Sequence, residues 1–371
     1  MGDPALVARR TLAQGLVTRP FADPHEAVAF HGAMQGQDLP GVISSIALRL
    51  AGEDRDPSTA VGRVLADFDA GRIVRGYPMR GTVFAVAAED LAWMTQLCAD
   101  GPVQAAIRRR PRLGLEDCHV ATARRVLERR AGGSDDGVDR AELFAAWDEA
   151  GVSPAGGRGY HLLVHFISTL VAAYGPCDGV DHRVVLTQEW LPAGSRLEER
   201  FDGDRTAAAA ELLRRYLISH GPATLRDASW WTKLPLRLLR TALEQIRDDL
   251  APWTPDARGE ERFCRPGLEE ETLARGAEPN ALFLLPGFDE IVLGTPDRTD
   301  LLAGDHHELL VPGNNGMFQK GVLRRGRMIG TWRREGAAGR RRLRVDPFGR
   351  WPAVAQREAE RAFASFPHPR P

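Results

Sequence analysis

The chain has 371 residues, of which 43% are hydrophobic and 27% are charged, so it can bury more than one core and is not a disordered polymer. Its formal net charge of −1 shows no overall basic character of the kind that many nucleic-acid-binding proteins have. No apolar run is long enough to span a bilayer, and the first residues lack the basic and apolar regions of a signal peptide. We therefore expect a cytoplasmic protein with no membrane partner.

The cysteines and the common enzyme motifs give no indication of a metal or a cofactor. The four cysteines are far apart and form no CxxC pair, which favours reduced thiols over a disulfide framework or a zinc site. The adjacent histidines His306 and His307 do not converge on one ion without other ligands. The sequence also lacks a nucleophile elbow, a Walker loop and an HExxH helix. We expect no metal and no cofactor.

The first part of the chain predicts helices followed by a β-hairpin. The predicted helices cover residues 23–30, 39–50 and 58–69, the last capped by Ser58. Glycines at 71 and 76 interrupt the helical period, and residues 82–86 predict a strand. Three helices followed by a hairpin is the order of a winged helix.

Two later stretches follow the same order. The middle one predicts helices over residues 139–151 and 159–174 and a strand over 183–187. The third predicts a helix over 206–219, a short helix capped by Thr224, and a longer helix over 236–250. The spacing of the last two resembles a helix-turn-helix, whose second helix reads DNA in many proteins. Structural and protein-binding winged helices have the same pattern, so the role stays open here.

After residue 280 the pattern predicts strands over residues 282–285, 291–293, 321–323 and 328–332. Between residues 318 and 350, eleven lysines and arginines face only two acidic residues. Such a local basic surface can neutralise DNA phosphates, although a solvated arginine-rich segment explains the charge equally well. Lys320 is a candidate phosphate contact. The turn with Arg324, Arg325 and Arg327 is either a hairpin tip for a minor groove or a solvated turn.

The most distinctive polar group is Gln35-Gly36-Gln37-Asp38, which lies between apolar segments. In an extended segment, residues two apart point to the same side, so Gln35 and Gln37 can address one small target. The alternative is that both are ordinary surface or capping groups, and Asp38 is most simply the N-cap of the next helix.

Several motifs, in this order and spacing, resemble the AlkZ/YcaQ-type winged-helix DNA glycosylases, and most closely the AlkZ branch. The resemblance extends from about residue 8 to residue 350. It is carried by Gln35-Gly36-Gln37-Asp38, Pro78-Met79-Arg80-Gly81-Thr82, Val184-Val185-Leu186-Thr187-Gln188-Glu189-Trp190-Leu191-Pro192, Leu284-Leu285-Pro286-Gly287-Phe288-Asp289-Glu290, Gly321-Val322-Leu323 and Gly330-Thr331-Trp332-Arg333-Arg334.

The resemblance implies an α+β fold of three tandem winged-helix domains with β-hairpin wings, which together form a C-shaped, concave DNA-binding surface. The implied domains are residues 1–105, 106–200 and 201–371, the last with a β-rich extension. Gln35 and Gln37 would be the catalytic pair, with Asp38 in support, and the basic hairpin would contact DNA. Arg75, Arg80 and Thr82 lie on the first wing, where we expect phosphate contact, and for Arg80 a structural salt bridge is an equal alternative.

The implied activity is that of a monofunctional DNA glycosylase for cationic alkylated purines. Its partner would be double-stranded DNA with alkylated bases or interstrand crosslinks, bound by a monomer at the nucleoid. The implied biological role of the protein would be self-resistance to a DNA-alkylating antibiotic. Two alternatives remain at this stage. A winged-helix transcriptional regulator predicts a dimer and a palindromic site, and a protein-interaction protein predicts no affinity for DNA.

Overall fold

The computed structural model describes residues 2–52, 56–134, 136–177, 179–304, 306–337 and 340–369. The chain divides into a terminal unit, Met1–Val64 with Ala210–Pro371, and a central unit, Leu65–Ala209. These boundaries differ from those of the three predicted domains, and the division into three domains stays a prediction. Within the described residues, no helix combines the length and the apolarity that a bilayer crossing requires.

The first segment of the terminal unit is mainly helical. Its elements are α1 (Pro4–Ala13), α2 (Pro24–His31), β1 (Met34–Gln35), α3 (Leu39–Ala47) and α4 (Pro57–Asp69). The three helices predicted here are confirmed, although α3 ends at Ala47 rather than near residue 50. The predicted cap of α4 was wrong by two residues, because Asp56 Oδ1 accepts the N–H of Ser58.

The central unit packs helices against an antiparallel sheet. Its elements are β2 (Ile73–Met79), β3 (Thr82–Ala87), α5 (Ala88–Cys98), α6 (Asp100–Arg109), a 3₁₀ turn (Arg110–Leu113), α7 (Asp117–Ala131), α8 (Arg140–Glu149), α9 (Arg158–Ser168), β4 (Ala172–Cys177), β5 (His182–Leu186), α10 (Thr187–Trp190) and α11 (Leu197–Phe201). Its strands lie in the order β3-β2-β4-β5.

The core of the central unit is built from the apolar faces of α7, α8 and α9. Trp147 is fully buried there, and its Nε1 donates to the carbonyl of Ala123 at 2.9 Å. The helix predicted to continue to residue 174 ends at Ser168 instead. Leu170 has a φ of 58°, a left-handed conformation that cannot continue a helix, and β4 begins two residues later.

The second segment of the terminal unit begins with a winged helix. Its elements are α12 (Arg205–His220), β6 (Ala223–Thr224), α13 (Leu225–Thr232), α14 (Leu236–Ile246), β7 (Ala251–Trp253) and β8 (Arg262–Cys264). The strands lie in the order β6-β8-β7. The predicted cap at Thr224 is confirmed, because its hydroxyl accepts the N–H of Asp227 at 3.1 Å.

A four-stranded antiparallel sheet follows. The elements are α15 (Leu268–Ala274), β9 (Leu282–Leu284), α16 (Glu290–Leu293), α17 (His306–Leu310), β10 (Gly321–Arg324), β11 (Arg327–Glu335), β12 (Arg342–Pro347) and α18 (Ala353–Ala364). The sheet order is β12-β11-β10-β9. The strand predicted over residues 291–293 was wrong, because Asp289 caps a helical turn there by accepting the N–H of Ile291.

The winged-helix order of helix, strand, two helices and hairpin occurs three times in the described residues. It is formed by α2-β1-α3-α4-β2-β3, then by α7, α8, α9, β4 and β5, and then by α12-β6-α13-α14-β7-β8. In the second set, the short first strand is the bridge between Val138 and Val184. The predicted α+β winged-helix fold class is confirmed.

Candidate active site around Gln35

Gln35 is the last residue of the short strand β1. Gln37 follows in the loop between β1 and helix α3. Gln35 is buried at 6% exposure, whereas Gln37 is exposed and Asp38 is half-buried. The side-chain oxygen Oε1 of Gln35 is buried and has no hydrogen-bond partner among the described residues. Leaving a buried acceptor unsatisfied costs about 1–3 kcal/mol. The amide oxygen of Gln35 is therefore suited to accept a hydrogen bond from a small molecule such as water.

Glu290 holds the main chain of Gln35 from the opposite end of the sequence. Its Oε1 accepts the backbone N–H of Gln35, and its Oε2 lies 3.2 Å from Nε2 of His220. Both Glu290 and His220 are almost completely buried. On the other side of the ring, Nδ1 of His220 is 2.8 Å from the hydroxyl of Ser219, which donates to the carbonyl of Arg215.

Aromatic rings fix the orientation of His220. The ring stacks on Tyr216 at a centroid distance of 4.7 Å and lies 5.3 Å from Trp231. His31 lies edge-on at 6.0 Å, and its Nδ1 donates to the carbonyl of Ala27. Burial, together with the charges of Arg49 and His220, holds the pKa of His31 well below its usual range. His31 is therefore neutral under ordinary conditions.

Asp289, next to Glu290, forms a buried ion pair with Arg49. The two terminal nitrogens of the guanidinium each lie 3.0 Å from one carboxylate oxygen, and neither side chain is exposed. Ser45 also donates to Asp289 at 2.7 Å. Burial alone would raise the pKa of Asp289, but the charge of Arg49 and these hydrogen bonds lower it below its usual value. The pair fastens α16 to α3, the helix that follows the glutamine loop.

The sequence prediction gave Asp289 and Glu290 no role, although a signal was present. Two adjacent carboxylates stand between the apolar groups Leu284-Leu285 and Ile291-Val292-Leu293. Carboxylates in such a run are rarely buried unless they are paired. Their role as positioning residues could have been inferred, but their partners could not.

Asp38 has the N-cap position of α3 but makes no capping hydrogen bond with its side chain. The predicted cap is therefore correct in position only. A Cβ on Gly41 would lie 2.7 Å both from Oδ2 of Asp38 and from the carbonyl of Gly287, so the loop packs tightly against the segment before α16. This contact explains a glycine inside the first turns of α3.

A group of positive charges lies close to Asp38. Burial and the charge of Arg334 lower the pKa of Lys320, while Asp38 acts in the opposite direction. The Lys320 ammonium also lies over the ring of Trp332 at 5.2 Å. Burial, Arg334 and Lys320 lower the pKa of His368 to about 4. Lys320 and its arginine neighbours thus form a basic surface, defined as Lys320, Arg334 and Arg341, beside the glutamine loop.

The turn predicted to enter a DNA groove is packed within the terminal unit. Arg324 forms an ion pair with Glu358 at 2.6 Å and is 14% exposed. Arg327 donates to the carbonyls of Thr299 and Asp300. The N–H of Arg325 donates to the carbonyl of Asn280, and a Cβ on Gly326 would lie 2.3 Å from the carbonyl oxygen of Pro4. These contacts do not favour insertion of this turn into a groove.

The next hairpin, formed by β11 and β12, presents more arginine to solvent. Arg333 lies opposite Arg344 in its register, and both side chains are 55% exposed. Both form ion pairs with Asp346. Arg340, Arg341 and Arg342 are also exposed. This hairpin is the better candidate for phosphate contact.

The predicted wing residues belong to the central unit and differ in exposure. Arg75 is 8% exposed, lies 5.6 Å from the ring of Tyr174, and has a pKa lowered by burial, so its position favours a structural role. Arg80 is half-buried in the turn between β2 and β3, with its guanidinium 5.8 Å from the ring of Phe84. The hydroxyl of Thr82 is buried without a hydrogen-bond partner among the described residues.

One group of three potential metal ligands occurs in the described residues, namely Glu116, Cys118 and His119. Glu116 and Cys118 are exposed, and Nδ1 of His119 accepts the N–H of Glu116 at 3.0 Å. This bond is part of a capping box at the start of α7. The capping box explains the cluster, because the side chains of Glu116 and His119 both accept backbone N–H groups in it.

Comparison with known proteins identifies the family. The interstrand DNA cross-link repair glycosylase of Streptomyces sahachiroi is 24% identical over 306 residues, which is 78% of this chain and 76% of the relative. The solved structure of the Streptomyces sahachiroi DNA glycosylase AlkZ is similar with a TM-score of 0.68 and 21% identity, covering 100% of this chain and 97% of the other. The sequence model of the family described as DNA glycosylase AlkZ-like matches residues 28–367. The chain therefore belongs to the AlkZ-like DNA glycosylase family.

Proposed function

We propose that the chain is a monofunctional DNA glycosylase that hydrolyses the N-glycosidic bond of cationic purines, such as 7-alkylguanine and 3-alkyladenine, in double-stranded DNA. Family membership supports the reaction class. The observation that carries the proposal is the amide oxygen of Gln35, which is buried and has no hydrogen-bond partner among the described residues. Glu290 holds the main chain of Gln35, and the exposed Gln37 lies two residues further on.

The chemistry explains why neutral amides suffice. A purine alkylated at these positions is already cationic, so it leaves as a neutral base and needs no protonation. The transition state resembles an oxocarbenium sugar, and the enzyme has to place a water molecule and surround positive charge with dipoles. A glutamine carbonyl accepts a hydrogen bond from water, and its amide group donates one. An undamaged base lacks this activation and is therefore spared.

The two glutamines have different surroundings, which supports a division of roles. Gln35 has a fixed main chain and a protected acceptor, so we propose that it orients the attacking water towards the sugar C1′. Gln37 is exposed, so we assign it the substrate side of that water. Asp38 adds a carboxylate at the end of the loop, and its nearby positive partner Lys320 limits the negative charge there.

DNA contact is assigned to basic groups of the terminal unit. We propose that Lys320, Arg334 and Arg341 bind phosphates near the reacting nucleotide, and that the β11–β12 hairpin with Arg333 and Arg344 contacts the duplex. This replaces the turn at residues 324–327, where the side chains of Arg324 and Arg327 have partners within the protein. Arg80 and Thr82 remain candidate phosphate contacts of the central unit.

We extend the proposal to interstrand crosslinks and to self-resistance. A relative named for cross-link repair supports the first, and the resemblance to the AlkZ branch supports the second. A crosslinked base cannot rotate fully out of the duplex, so unhooking requires an open site rather than a closed pocket. The proposed enzyme acts as a monomer at the nucleoid.

The proposal is tested by measuring free bases released from methylated and from crosslinked duplexes. A Gln35→Ala/Gln37→Ala variant is expected to bind DNA as before and to lose release of 7-methylguanine. Gln245→Ala, which removes an exposed glutamine on α14, is the matched control and keeps full activity. Undiminished release by the double variant refutes the catalytic assignment. Release of methylated bases without unhooking restricts the substrates to single adducts.

A further inference from the structure

We propose that the central unit has its own phosphate-binding site, formed by His161 and His165 on one face of α9 together with Arg109, Arg110 and Arg158, and that its ligand is a backbone phosphodiester of the bound duplex. The proposal rests on DNA as the substrate of the chain but not on the chemistry assigned to Gln35.

The helix α9 places three nitrogen-rich side chains along one stripe. Residues 158, 161 and 165 are separated by three and four positions, the spacing of neighbours on a helix surface. His161 and His165 are each 8% exposed. Arg109 at the end of α6 and Arg110, the first residue of the 3₁₀ turn, approach this stripe, and a guanidinium nitrogen of Arg110 lies 2.7 Å from Nε2 of His165.

This contact fixes the tautomer of His165. A guanidinium has donors and no acceptor, so Nε2 of His165 has to accept, and the proton of the neutral ring is on Nδ1. That Nδ1 is buried and has no hydrogen-bond partner among the described residues. Three further nitrogen atoms are also buried without a hydrogen-bond partner among the described residues, namely Nε of Arg110, Nε of Arg158 and Nε2 of His161.

Most of these unsatisfied groups in the described part of the chain are therefore donors. A buried donor without a partner costs about 1–3 kcal/mol, so such donors on α9 and on the 3₁₀ turn that contacts it need an explanation. The carboxylate of Asp117 accepts from another nitrogen of Arg110 at 3.2 Å, but it is fully exposed and leaves Nε unsatisfied. The non-bridging oxygens of a phosphodiester supply the missing acceptors and the opposite charge.

The electrostatics of the site agree with this ligand. Burial, followed by the charges of Arg110 and His161, lowers the pKa of His165 to about 4. Burial and the charges of Arg109 and Arg110 also lower the pKa of His161. Each histidine is thus a neutral ring in a positive field. An anion at this position would relieve the repulsion among the cations.

The loop before α9 has open space around two of its glycines. Gly156 and Gly157 have φ angles of 63° and 82°, and a Cβ added to either would meet no atom within 4 Å. The N–H groups of Arg158 and Gly159 already donate to the carbonyls of Ala155 and Pro154. The side chains of the stripe, and not the end of the helix, therefore provide the binding groups.

The first test is NMR of the full chain labelled at its histidine rings. Adding an undamaged duplex is expected to shift the ring signals of His161 and His165. Inorganic phosphate at the same total concentration of phosphate groups is expected to shift them less. Signals that stay unchanged at saturating duplex overturn the proposal. Signals that respond to inorganic phosphate but not to duplex overturn the assignment of DNA as the ligand.

The second test is the salt dependence of duplex binding by an Arg109→Gln/Arg110→Gln variant. We expect affinity to fall about tenfold at low salt and the slope of log K against log salt to decrease by about 1. The control is Arg124→Gln/Arg125→Gln, which removes two charges from the exposed side of α7 in the same unit. An unchanged slope in a folded Arg109/Arg110 variant overturns the proposal. His161→Gln/His165→Gln, which keeps side-chain donors, provides a second variant if the first is unstable.

The Gln35→Ala/Gln37→Ala variant separates this proposal from the catalytic one. It is expected to give the same histidine shifts on duplex binding as the unchanged chain. If those shifts occur while base release is unaffected by the glutamine change, the phosphate site stands and the catalytic assignment fails. If base release is lost but the shifts are absent, the reverse holds.

Discussion

Glu290 accepts a hydrogen bond from the backbone N–H of Gln35, although the two residues are 255 positions apart in the chain. The same carboxylate contacts His220, whose ring is enclosed by Tyr216 and Trp231. The position of the glutamine loop therefore depends on a buried carboxylate and its aromatic surroundings as well as on the sequence of the loop.

Replacing Glu290 is expected to reduce base release, because Glu290 holds the main chain of Gln35 in position. Glu290→Ala leaves the N–H of Gln35 without an acceptor, which costs about 1–3 kcal/mol. We expect single-turnover release of 7-methylguanine to fall about tenfold or more, which corresponds to about 1.4 kcal/mol in the barrier, while duplex affinity is unchanged. Glu290→Gln retains an acceptor for Gln35 and adds a donor for His220, so it should recover most of the rate.

The control for Glu290 is Glu308→Ala. Glu308 also accepts a backbone N–H, that of Gly313 at 2.7 Å, but on the exposed helix α17. Equal losses of rate in the two alanine variants, or a parallel loss of duplex affinity, would contradict a positioning role for Glu290.

The ion pair of Asp289 and Arg49 is expected to make stability sensitive to acid. The pKa of Asp289 is lowered in the folded protein, so its contribution is fully present above the unfolded value of about 3.9 and is lost as the pH falls through the folded value. Asp289→Asn leaves Arg49 buried without its counter-charge, which should cost about 3–5 kcal/mol at neutral pH. Its remaining stability should fall less steeply in acid.

Urea unfolding at several pH values measures this effect. Asp346→Asn is the matched control, because Asp346 pairs with two arginines but is 42% exposed. Its loss should cost less than about 1 kcal/mol. Equal effects of the two substitutions would show that burial does not strengthen the Asp289 pair.

Replacing Arg80 distinguishes the effect of its backbone conformation on stability from a role in DNA contact. Arg80 and Gly81 have φ angles of 60° and 68° in the two-residue turn between Met79 and Thr82. Asn-Gly is favoured in such turns, so Arg80→Asn should stabilise the fold by up to about 1 kcal/mol. If Arg80 contacts a phosphate, duplex binding should weaken and its salt slope should decrease by about 1.

Thermal unfolding and salt-dependent binding are measured on the same Arg80→Asn sample. Arg72→Gln is the control, because it removes an exposed arginine of the same unit that is paired with Asp67. A more stable variant with unchanged affinity would restrict Arg80 to a structural role.

The two basic turns of the terminal unit predict different binding effects. Arg333→Gln/Arg344→Gln should weaken duplex binding and reduce the salt slope by about 2, because both side chains are exposed. Arg324→Gln/Arg327→Gln should change it little, because Arg324 is paired with Glu358 and Arg327 donates to backbone carbonyls. The reverse result would return the DNA contact to the turn at residues 324–327.

Much of the fold was determined by local sequence. The cap at Thr224 and the apolar periodicity predicted helices of the winged-helix units, because these signals act within one or two helical turns. The strand predicted at residues 291–293 was wrong for a related reason. Three apolar residues fit a strand or a buried helical turn, and the cap at Asp289 decided between them.

For the candidate site, too, the sequence determined some features and the tertiary structure decided others. The sequence by itself determined which residues are unusual, namely two glutamines in an apolar setting, and it determined a basic stretch after residue 318. The tertiary structure alone decided that Gln35 is buried and Gln37 exposed, that Glu290 and Lys320 are near the loop, and that Arg324 is paired. Burial and pairing depend on groups that are hundreds of positions away, and no local pattern specifies the distance between them.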